Sequence, residues 1–305
     1  MPAQLPRTLT YDKAAIAEAA ALIRAGGIVA VPTETVYGLA ADATNADAVA
    51  RIYAAKGRPS FNPLIVHVPD LAAAERIAIF DADAHALAAR WWPGPLTLVL
   101  PLCPDSIIAS LVTAGLDTIA IRVPAHRAVQ ALLAATGRPL AAPSANASNA
   151  ISPTRAAHVA ASLGDRIPLI LDDGPTSAGL ESTIVGEGVI LRPGPITAEQ
   201  LGLPIATPSK RINAPGQLAT HYAPAKQLRL NAISRDGDEW LIGFGVVTGD
   251  DSLSAAGDPI EAAAHLFDAL HRADASPAPR IAVAPIPAAG IGAAINDRLR
   301  RAAHR

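Results

Sequence analysis

Residues 31–69 read VPTETVYGLAADATNADAVARIYAAKGRPSFNPLIVHVP. Near the middle, Lys56 and Arg58 flank Gly57, directly after a helical pattern and just before a strand-like apolar run. Glycine permits a sharp backbone turn, so both cationic side chains are predicted to face one ligand. Arginine offers a planar fork and lysine a compact charge, and together they suit a polyphosphate. The alternative is a solvated Lys and Arg beside a turn.

Helical and strand-like segments alternate on both sides of this stretch. Asp12 and Asn45 precede helical patterns, and Gly57 ends the second of them. Predicted helices cover residues 12–24, 45–57, 81–92 and 127–135, with a further helix start at 152–154; predicted strands cover 28–31, 64–68, 96–100, 118–123, 169–171, 183–185 and 189–191. The threonine-rich residues after the first strand are taken as a loop. This alternation predicts an α/β domain whose sheet is at least partly parallel.

A change in composition divides the chain. Residues 203–215 contain Pro, Ser and Lys without sustained periodicity, which predicts a linker. We therefore expect a large domain over residues 8–202, a linker over 203–225 and a small domain over 226–305. In the small domain, strands are predicted at 227–230, 240–247 and 280–285, and helices at 260–272 and 291–303.

Composition excludes several classes of protein. The 305 residues carry a formal net charge of -2, so no overall charge draws the chain to nucleic acid or to an acidic membrane. Cys103 is the only cysteine, which excludes an intrachain disulfide framework and a cysteine-based zinc site. The sequence has no secretory leader pattern and no apolar run long enough to span a membrane. We expect a soluble, cytoplasmic protein.

Several polar residues lie at the ends of predicted strands or within them. Thr35 follows the first strand, where open α/β sheets place ligand loops, although an ordinary polar loop has the same pattern. Arg122 lies in an apolar strand and needs a ligand or a structural ion pair, because burying a lone arginine is costly. Ser144, Asn146 and Ser152 belong to turns in which short polar side chains often bond only their own backbone.

Common catalytic motifs are absent from the sequence. It contains no P-loop pattern, no Gly-x-Ser-x-Gly elbow and no His-Glu-x-x-His helix. Asp172 and Asp173 could help to hold Mg²⁺, but an exposed acidic turn explains them equally well.

Short motifs occurring in one order resemble the threonylcarbamoyl-AMP synthase family, which has a YrdC-like fold. They are PTETVYGL, KGRPSFNPLIVHV, WWPGPLTLVL, TIAIRVP, PSANAS followed by SPT, ESTIV and LRPG, across about residues 9–201. Resemblance to the longer form of the enzyme rests on APGQLATHYAP (214–224) and AINDRLRRAA (294–303). The resemblance implies a YrdC-like twisted mixed sheet with flanking helices, plus a small Rossmann-like C-terminal α/β domain.

The same resemblance implies an activity. L-threonine, bicarbonate and ATP, with Mg²⁺, would give threonylcarbamoyl-adenylate and pyrophosphate, and the product would pass to a complex that modifies tRNA. The motifs imply ATP contacts from Arg58, Asn62, Thr118, Ser144, Ser152, Arg192 and Tyr222. They imply contacts to threonine or its carbamate from Thr35, His67, Arg122, Ala142 and Ser182. Lys56, Arg58 and Asn146 belong to the family's Lys-x-Arg and Ser-x-Asn signature and are expected to act in catalysis.

The chemistry of the residues agrees with this activity. A carbamate on threonine is an anion that must attack an anionic phosphate, so the site has to cancel charge and align reactants. Two residues depart from the family's pattern: Ala142 replaces a hydroxyl-bearing residue, and Asp173 stands where glycine is more frequent. His221 and Tyr222 are hypothesised to close over the nucleotide as a lid.

Two other functions are weighed against this one. An RNA-binding module would use the same basic cavity for phosphates, but the chain lacks basic residues interleaved with aromatic ones. A carbamoyltransferase of the kind found as YrdC-like domains in hydrogenase-maturation proteins would be expected to carry extra segments that this sequence lacks.

Overall fold

The computed structural model describes residues 6–207 and 221–304. Its strands are β1 Arg7–Thr10, β2 Val29–Pro32, β3 Tyr37–Asp42, β4 Ile65–His67, β5 Leu96–Pro101, β6 Thr118–Arg122, β7 Leu140–Ala141, β8 Leu169–Asp172, β9 Thr183–Gly186, β10 Val189–Arg192, β11 Gln227–Arg229, β12 Glu239–Gly243, β13 Asp251–Ser252 and β14 Arg280–Val283. Its helices are α1 Lys13–Arg24, α2 Ala46–Lys56, α3 Leu71–Glu75, α4 Ala82–Trp91, α5 Ser110–Thr113, α6 Arg127–Thr136, α7 Ala156–Leu163, α8 Ala198–Leu201, α9 Pro259–Ala275 and α10 Gly292–Ala303. Residues 208–220, most of the predicted linker, lie outside the described residues.

The first ten strands form one mixed sheet, in the order β1-β8-β2-β3-β7-β4-β6-β5-β9-β10. Strand β4 runs parallel to β6, and β5 runs parallel to β9. Strand β3 is antiparallel to β2 and β7, and β6 is antiparallel to β5. The predicted α/β class with a partly parallel sheet is therefore confirmed.

Helices cover both faces of this sheet. Along β2, Val29 and Val31 pack with α1 and α6, whereas Ala30 between them packs in the cluster that contains α2. Successive residues of a strand point to opposite faces, so β2 contributes to two apolar layers. Apolar packing therefore covers both faces of the sheet along β2. The polar residues that could bind a ligand lie at strand ends and in the loops that follow them.

Local capping signals explain where the helices begin and end. The side chains of Asp12, Asn45 and Asp81 accept hydrogen bonds from the first turns of α1, α2 and α4. Helix α2 ends at Gly57, which has a left-handed backbone with φ 61°. The helices predicted from these signals are confirmed to within a few residues.

Other predictions were wrong for identifiable reasons. Strand β3 lies in the supposed threonine-rich loop, and all six of its residues are buried, so it shows no alternation of apolar and polar residues. Residues 152–154 do not begin a helix: α7 starts at Ala156, because Arg155 is still extended. The strand predicted over 240–247 ends at Gly243, where Phe244 and Val247 close a tight turn.

The second sheet is small and entirely parallel, in the order β11-β14-β12-β13. Its core cluster, formed with α9 and α10, also includes Val36, Ile151 and Leu180 from the first part of the chain. Tyr222 belongs to the same cluster and is fully buried. The two sheets therefore share one apolar contact region. Among the described residues, no helix is both long enough and apolar enough to cross a membrane.

A group of polar side chains joins α7 to α9 across this region. The rings of His158 and His271 stack with centroids 3.8 Å apart. Asp268 receives two hydrogen bonds from Arg155, at 2.9 and 3.1 Å, and its Oδ1 lies 3.3 Å from Nε2 of His158. Nε2 of His271 lies 3.1 Å from the carbonyl oxygen of Ser152. Burial, with a smaller effect from His158, lowers the pKa of His271 to about 4.

Acid should therefore weaken the fold through His271. Between about pH 6.5 and 4 the unfolded chain binds a proton that the folded His271 does not, so the free energy of unfolding falls as the pH is lowered. At pH 5 this loss is about 2 kcal/mol for one such histidine. In urea unfolding at pH 7 and pH 5, His271→Gln should lose less stability than the wild type.

The control is His85→Gln, at an exposed histidine whose pKa is raised by a hydrogen bond to Glu75. That variant should lose at least as much stability at low pH as the wild type, because a histidine with a raised pKa stabilises the fold when it is protonated. An equal loss in His271→Gln and the wild type would show that His271 is not held neutral by the fold.

Candidate active site

A polar cavity opens beside the carboxyl ends of β4 and β6. The two strands pair in parallel with His67 opposite Arg122, so these side chains reach the cavity together. Most of the predicted site residues line it, namely Thr35, Arg58, His67, Arg122, Ala142, Ser144, Ser182, Arg192 and Tyr222. They come from loops after β2 and β7, from the start of β9 and the end of β10, and from the segment that precedes β11.

Arg122 is buried and bonded on three sides. Its Nε donates to the carbonyl of Gly94 at 3.1 Å, and its Nη1 donates to Oγ1 of Thr35 at 2.9 Å. Its Nη2 lies 2.6 Å from Oε1 of Glu34 in an ion pair. Burial opposes ionisation of Glu34, but Arg122 outweighs it and lowers the pKa of that carboxyl. The arginine therefore has the structural partner that its sequence context required and also faces the cavity.

His67 is buried, and neither of its ring nitrogens has a hydrogen-bond partner among the described residues. Burial, reinforced by the charge of Arg122, lowers its pKa to about 3. The imidazole is therefore neutral at neutral pH, with one donor and one acceptor available to a ligand.

Arg58 and Arg192 bring positive charge into the cavity, and neither forms an ion pair with a carboxylate in the described part of the chain. Arg58 donates to the backbone carbonyls of Asn62 and Pro63, at 3.2 and 2.9 Å. Arg192 donates to the carbonyl of Ser182 at 2.9 Å and to its Oγ at 3.1 Å. Burial lowers the pKa of Arg58 to about 10, which still leaves it charged at neutral pH. An anionic ligand is the natural counter-ion for this pair.

Lys56 has a different position from the one predicted. Its Nζ donates to the carbonyls of Ser144 and Asn146, both at 2.6 Å, and the side chain is buried beneath the cavity. Lys56 does not line the cavity, in contrast to the expectation that it and Arg58 face one ligand. Its amino group instead fixes the loop that carries Ser144. Burial, reinforced by the charges of Arg58 and Arg166, lowers the pKa of Lys56 well below its usual value.

Four other predicted site residues do not reach the cavity. Asn62 and Asn146 are buried, and each has a side-chain oxygen without a partner among the described residues. Ser152 is fully buried and donates to Glu181. Thr118 begins β6, about 13 Å along the strand from Arg122. None of these residues lines the cavity.

Ala142 lines the cavity, and its backbone N–H is already bonded to the carbonyl of Ile65 at 3.0 Å. That N–H therefore does not replace the hydroxyl that the resemblance led us to expect. At the cavity, Ala142 offers its methyl group and its carbonyl.

Tyr222 and His221 close one side of the cavity and are buried. The backbone of Tyr222 has φ 65°, and its ring packs against His221 and Phe267 at centroid distances of 4.0 and 5.4 Å. The guanidinium of Arg298 lies 5.2 Å from the centre of the same ring. Helices α9 and α10 thus hold this segment in place.

Sequence reasoning missed Glu34, Glu181 and Arg298. Glu34 lies inside the quoted PTET motif, and only its ion pair with Arg122 reveals its role. Glu181 lines the cavity and pairs with Arg298 of α10 at 2.9 Å. No local pattern indicates a pair so far apart in the chain, although a charge next to the predicted Ser182 was a signal that could have been followed.

The carboxylates near the cavity do not fit a protein-held Mg²⁺. Glu34 and Glu181 are each paired with an arginine. Asp172 accepts a hydrogen bond from the hydroxyl of Tyr37 at 3.0 Å, and Asp173 forms an ion pair with Arg127. Within residues 6–207 and 221–304, no three His, Cys, Asp or Glu side chains are grouped to hold a metal. The suggested magnesium role of the acidic turn has no support in this geometry.

Two family models together match most of the chain. A family model for Sua5, YciO and YrdC proteins, described as "Telomere recombination", matches residues 21–194. A second model, described as "Threonylcarbamoyl-AMP synthase, C-terminal domain", matches residues 196–304. Together they cover the second sheet and all strands of the first sheet except β1.

Individual proteins are similar over nearly the whole chain. The threonylcarbamoyl-AMP synthase of Bacillus subtilis is 42% identical, over 97% of this chain and 94% of that protein. The enzyme of that name from Pyrococcus abyssi is 39% identical, over 93% and 92%. The crystal structure of P. abyssi Sua5 complexed with L-threonine superposes with a TM-score of 0.90 and 36% identity, covering 98% of each chain. HypF, at 19% identity, a TM-score of 0.53 and coverage of 60% of this chain and 30% of its own, shares the fold alone. The chain belongs to the threonylcarbamoyl-AMP synthase family.

Proposed function

We propose that this protein is an L-threonylcarbamoyladenylate synthase, which forms threonylcarbamoyl-AMP and pyrophosphate from L-threonine, bicarbonate and ATP. The observation that carries the proposal is the charge of the cavity. Arg58 and Arg192 enter it with only carbonyl and hydroxyl partners, and Arg122 enters it beside a neutral His67. Such a cavity favours a ligand with several negative charges over a neutral or cationic one.

The threonine half lies around Arg122. Its guanidinium binds the substrate carboxylate from the cavity side, while Glu34 holds it from behind. Thr35, His67 and Ser182 surround the rest of the amino acid, and Ala142 contributes a methyl group and a carbonyl. The related P. abyssi Sua5, which crystallised with L-threonine, supports an amino acid as one of the substrates.

The nucleotide half lies around Arg58 and Arg192. Arg58, Arg192, Ser144 and Tyr222 line this side of the cavity and contact ATP. Asn62 and Ser152, which lie behind the wall, remain proposed nucleotide contacts that need a small movement of the wall. Thr118 also remains a proposed contact, although it lies at the opposite end of β6 from Arg122. Lys56 and Asn146 act on the reaction by shaping the loop that presents Ser144.

The reaction joins the two halves. The amine of threonine first combines with bicarbonate to form a carbamate, with loss of water. An oxygen of the carbamate then attacks the α-phosphorus of ATP, and the bond from that phosphorus to the bridging oxygen breaks, so pyrophosphate leaves with the bond electrons. Arg58 and Arg192 offset the charge of the phosphates, and Arg122 fixes the attacking molecule. No protein nucleophile is needed. A magnesium ion would have to arrive bound to the triphosphate, since Glu34 and Glu181, the two carboxylates at the cavity, are each paired with an arginine.

The wider role follows from the product. The enzyme is a nucleotidyltransferase of tRNA modification in the cytoplasm, and its adenylate is handed to a complex that transfers the threonylcarbamoyl group to tRNA.

The decisive experiment is mass spectrometry of the products after incubation with ATP, bicarbonate and each amino acid in turn. Threonylcarbamoyl-AMP and pyrophosphate should appear with threonine. Steeply salt-dependent RNA binding without nucleotide turnover would point instead to an RNA-binding module. Turnover of carbamoyl phosphate in place of bicarbonate would point to a carbamoyltransferase.

Removing the charge of Arg122 should weaken threonine binding. Arg122→Met loses a charge-assisted contact to a carboxylate, so the KM for threonine should rise about 10- to 100-fold. The KM for ATP should change much less. The control is Arg127→Met, at an exposed arginine paired with Asp173. Equal KM values for threonine in both variants would contradict the assigned pocket.

Lys56 and Arg58 should differ in the substrate that they affect. Arg58→Met should raise the KM for ATP and leave the KM for threonine unchanged. The reason is that Arg58 lines the cavity and Lys56 does not. Lys56→Met leaves the carbonyls of Ser144 and Asn146 without their donor, so the loop should shift and kcat/KM should fall for both substrates. Steady-state kinetics with each substrate varied in turn distinguishes the two patterns. A purely ATP-specific effect in the Lys56 variant would contradict its role beneath the cavity.

A further inference from the structure

Arg298 of helix α10 crosses the apolar contact region between the two sheets and reaches Glu181, which lines the cavity. Arg298 has no exposed surface, and its Nε donates to Oε2 of Glu181 at 2.9 Å. Its Nη1 donates to Asp297 at 2.9 Å, and its Cζ lies 5.2 Å from the ring centre of Tyr222. One residue of the C-terminal part therefore contacts two residues that line the cavity.

The second carboxylate oxygen of Glu181 accepts a hydrogen bond from Ser152. Glu181 is followed directly by Ser182, whose carbonyl and hydroxyl are bonded to Arg192. A displacement of Glu181 would therefore alter the positions of Ser152 and of Arg192, the arginine assigned to the nucleotide.

The same wall is packed against α9. Gly179 has φ 67°, and a Cβ atom added there would lie 2.4 Å from the backbone oxygen of Ala264. His271 of the same helix contacts the carbonyl of Ser152 at 3.1 Å. Ser152, behind the cavity, and Gly179, next to the lining residues Glu181 and Ser182, thus both contact α9, and nothing larger than glycine fits at position 179.

Charge makes Arg298 more than a packing residue. Burial opposes ionisation of Glu181, but Arg298 and Arg192 together lower the pKa of its carboxyl, so it carries its negative charge. Without Arg298, this buried carboxylate would have to take Arg192 as its partner or remain beside the phosphates unpaired. Either outcome opposes binding of a triphosphate.

We propose that Arg298 is a positioning residue for the nucleotide half of the site, acting through Glu181 and Tyr222. The C-terminal part then completes the ATP pocket and is not an independent module. This inference rests on the proposed function. The main effect is expected on ATP, because none of the described residues assigned to threonine contacts Arg298 directly; Ser182, which follows Glu181 in the chain, carries a smaller effect to the threonine half.

The test measures ATP binding by calorimetry and the KM for each substrate in Arg298→Met and Arg298→Lys. Loss of the charge-assisted contact should weaken ATP binding about 10- to 100-fold in Arg298→Met, with the KM for threonine nearly unchanged. Arg298→Lys keeps the charge and should recover part of the affinity. The control is Arg155→Met, which removes another ion pair between the two parts, at 2.9 Å to Asp268, without touching the cavity lining.

A second variant keeps the test valid if Arg298→Met folds poorly. Arg298→Met combined with Glu181→Gln removes both charges and should bind ATP more tightly than Arg298→Met alone. The inference is overturned by wild-type ATP affinity in Arg298→Met, by strictly additive effects in the double variant, or by an equal loss in Arg155→Met. Failure of the proposed function would look different, because the wild type itself would release no pyrophosphate with threonine.

Discussion

Burial of positive charge without matching carboxylates is the constraint that the rest of this structure depends on. Lys56, Arg58 and Arg192 are held by carbonyl and hydroxyl oxygens, which satisfy hydrogen bonds but do not cancel charge. Lys56 lies in the last turn of α2, where the carbonyl end of a helix favours a cation. The loops around the cavity therefore arrange oxygen atoms around cations and leave the remaining charge to a ligand.

Each of the two buried carboxylates near the cavity serves one half of the site. Glu34 pairs with Arg122, and Glu181 pairs with Arg298. Glu34 orients the guanidinium of Arg122, and Glu181 orients that of Arg298. Because each carboxylate already has its own arginine, neither pairs with Arg58 or Arg192 in the described structure. The anionic side chains thus stabilise the geometry without occupying the place of the anionic substrate.

Local signals were sufficient for most of the fold but for only part of the site. The caps Asp12, Asn45 and Asp81 act within one helical turn, so the sequence reveals them directly. Strand β3 was missed because burial on both faces removes the alternating pattern. The family motifs indicated the cavity lining, but spacing around Gly57 could not show that Lys56 turns to a loop 88 residues away. The pair of Glu181 and Arg298 spans 117 residues and has no local pattern at all.

The two halves of the proposed site, for threonine and for ATP, are held by different parts of the chain. Thr35, His67 and Arg122 are held by strands and loops of the first sheet, and their hydrogen bonds and ion pairs stay within it. Ser152, Glu181 and Tyr222, in contrast, depend on contacts with α9 and α10. On the proposed assignment, Thr35, His67 and Arg122 of the amino-acid pocket are held by the first sheet alone, whereas the nucleotide pocket also depends on the C-terminal part. Ser182 follows Glu181 directly, so it is the point at which the contacts of α10 reach the amino-acid half.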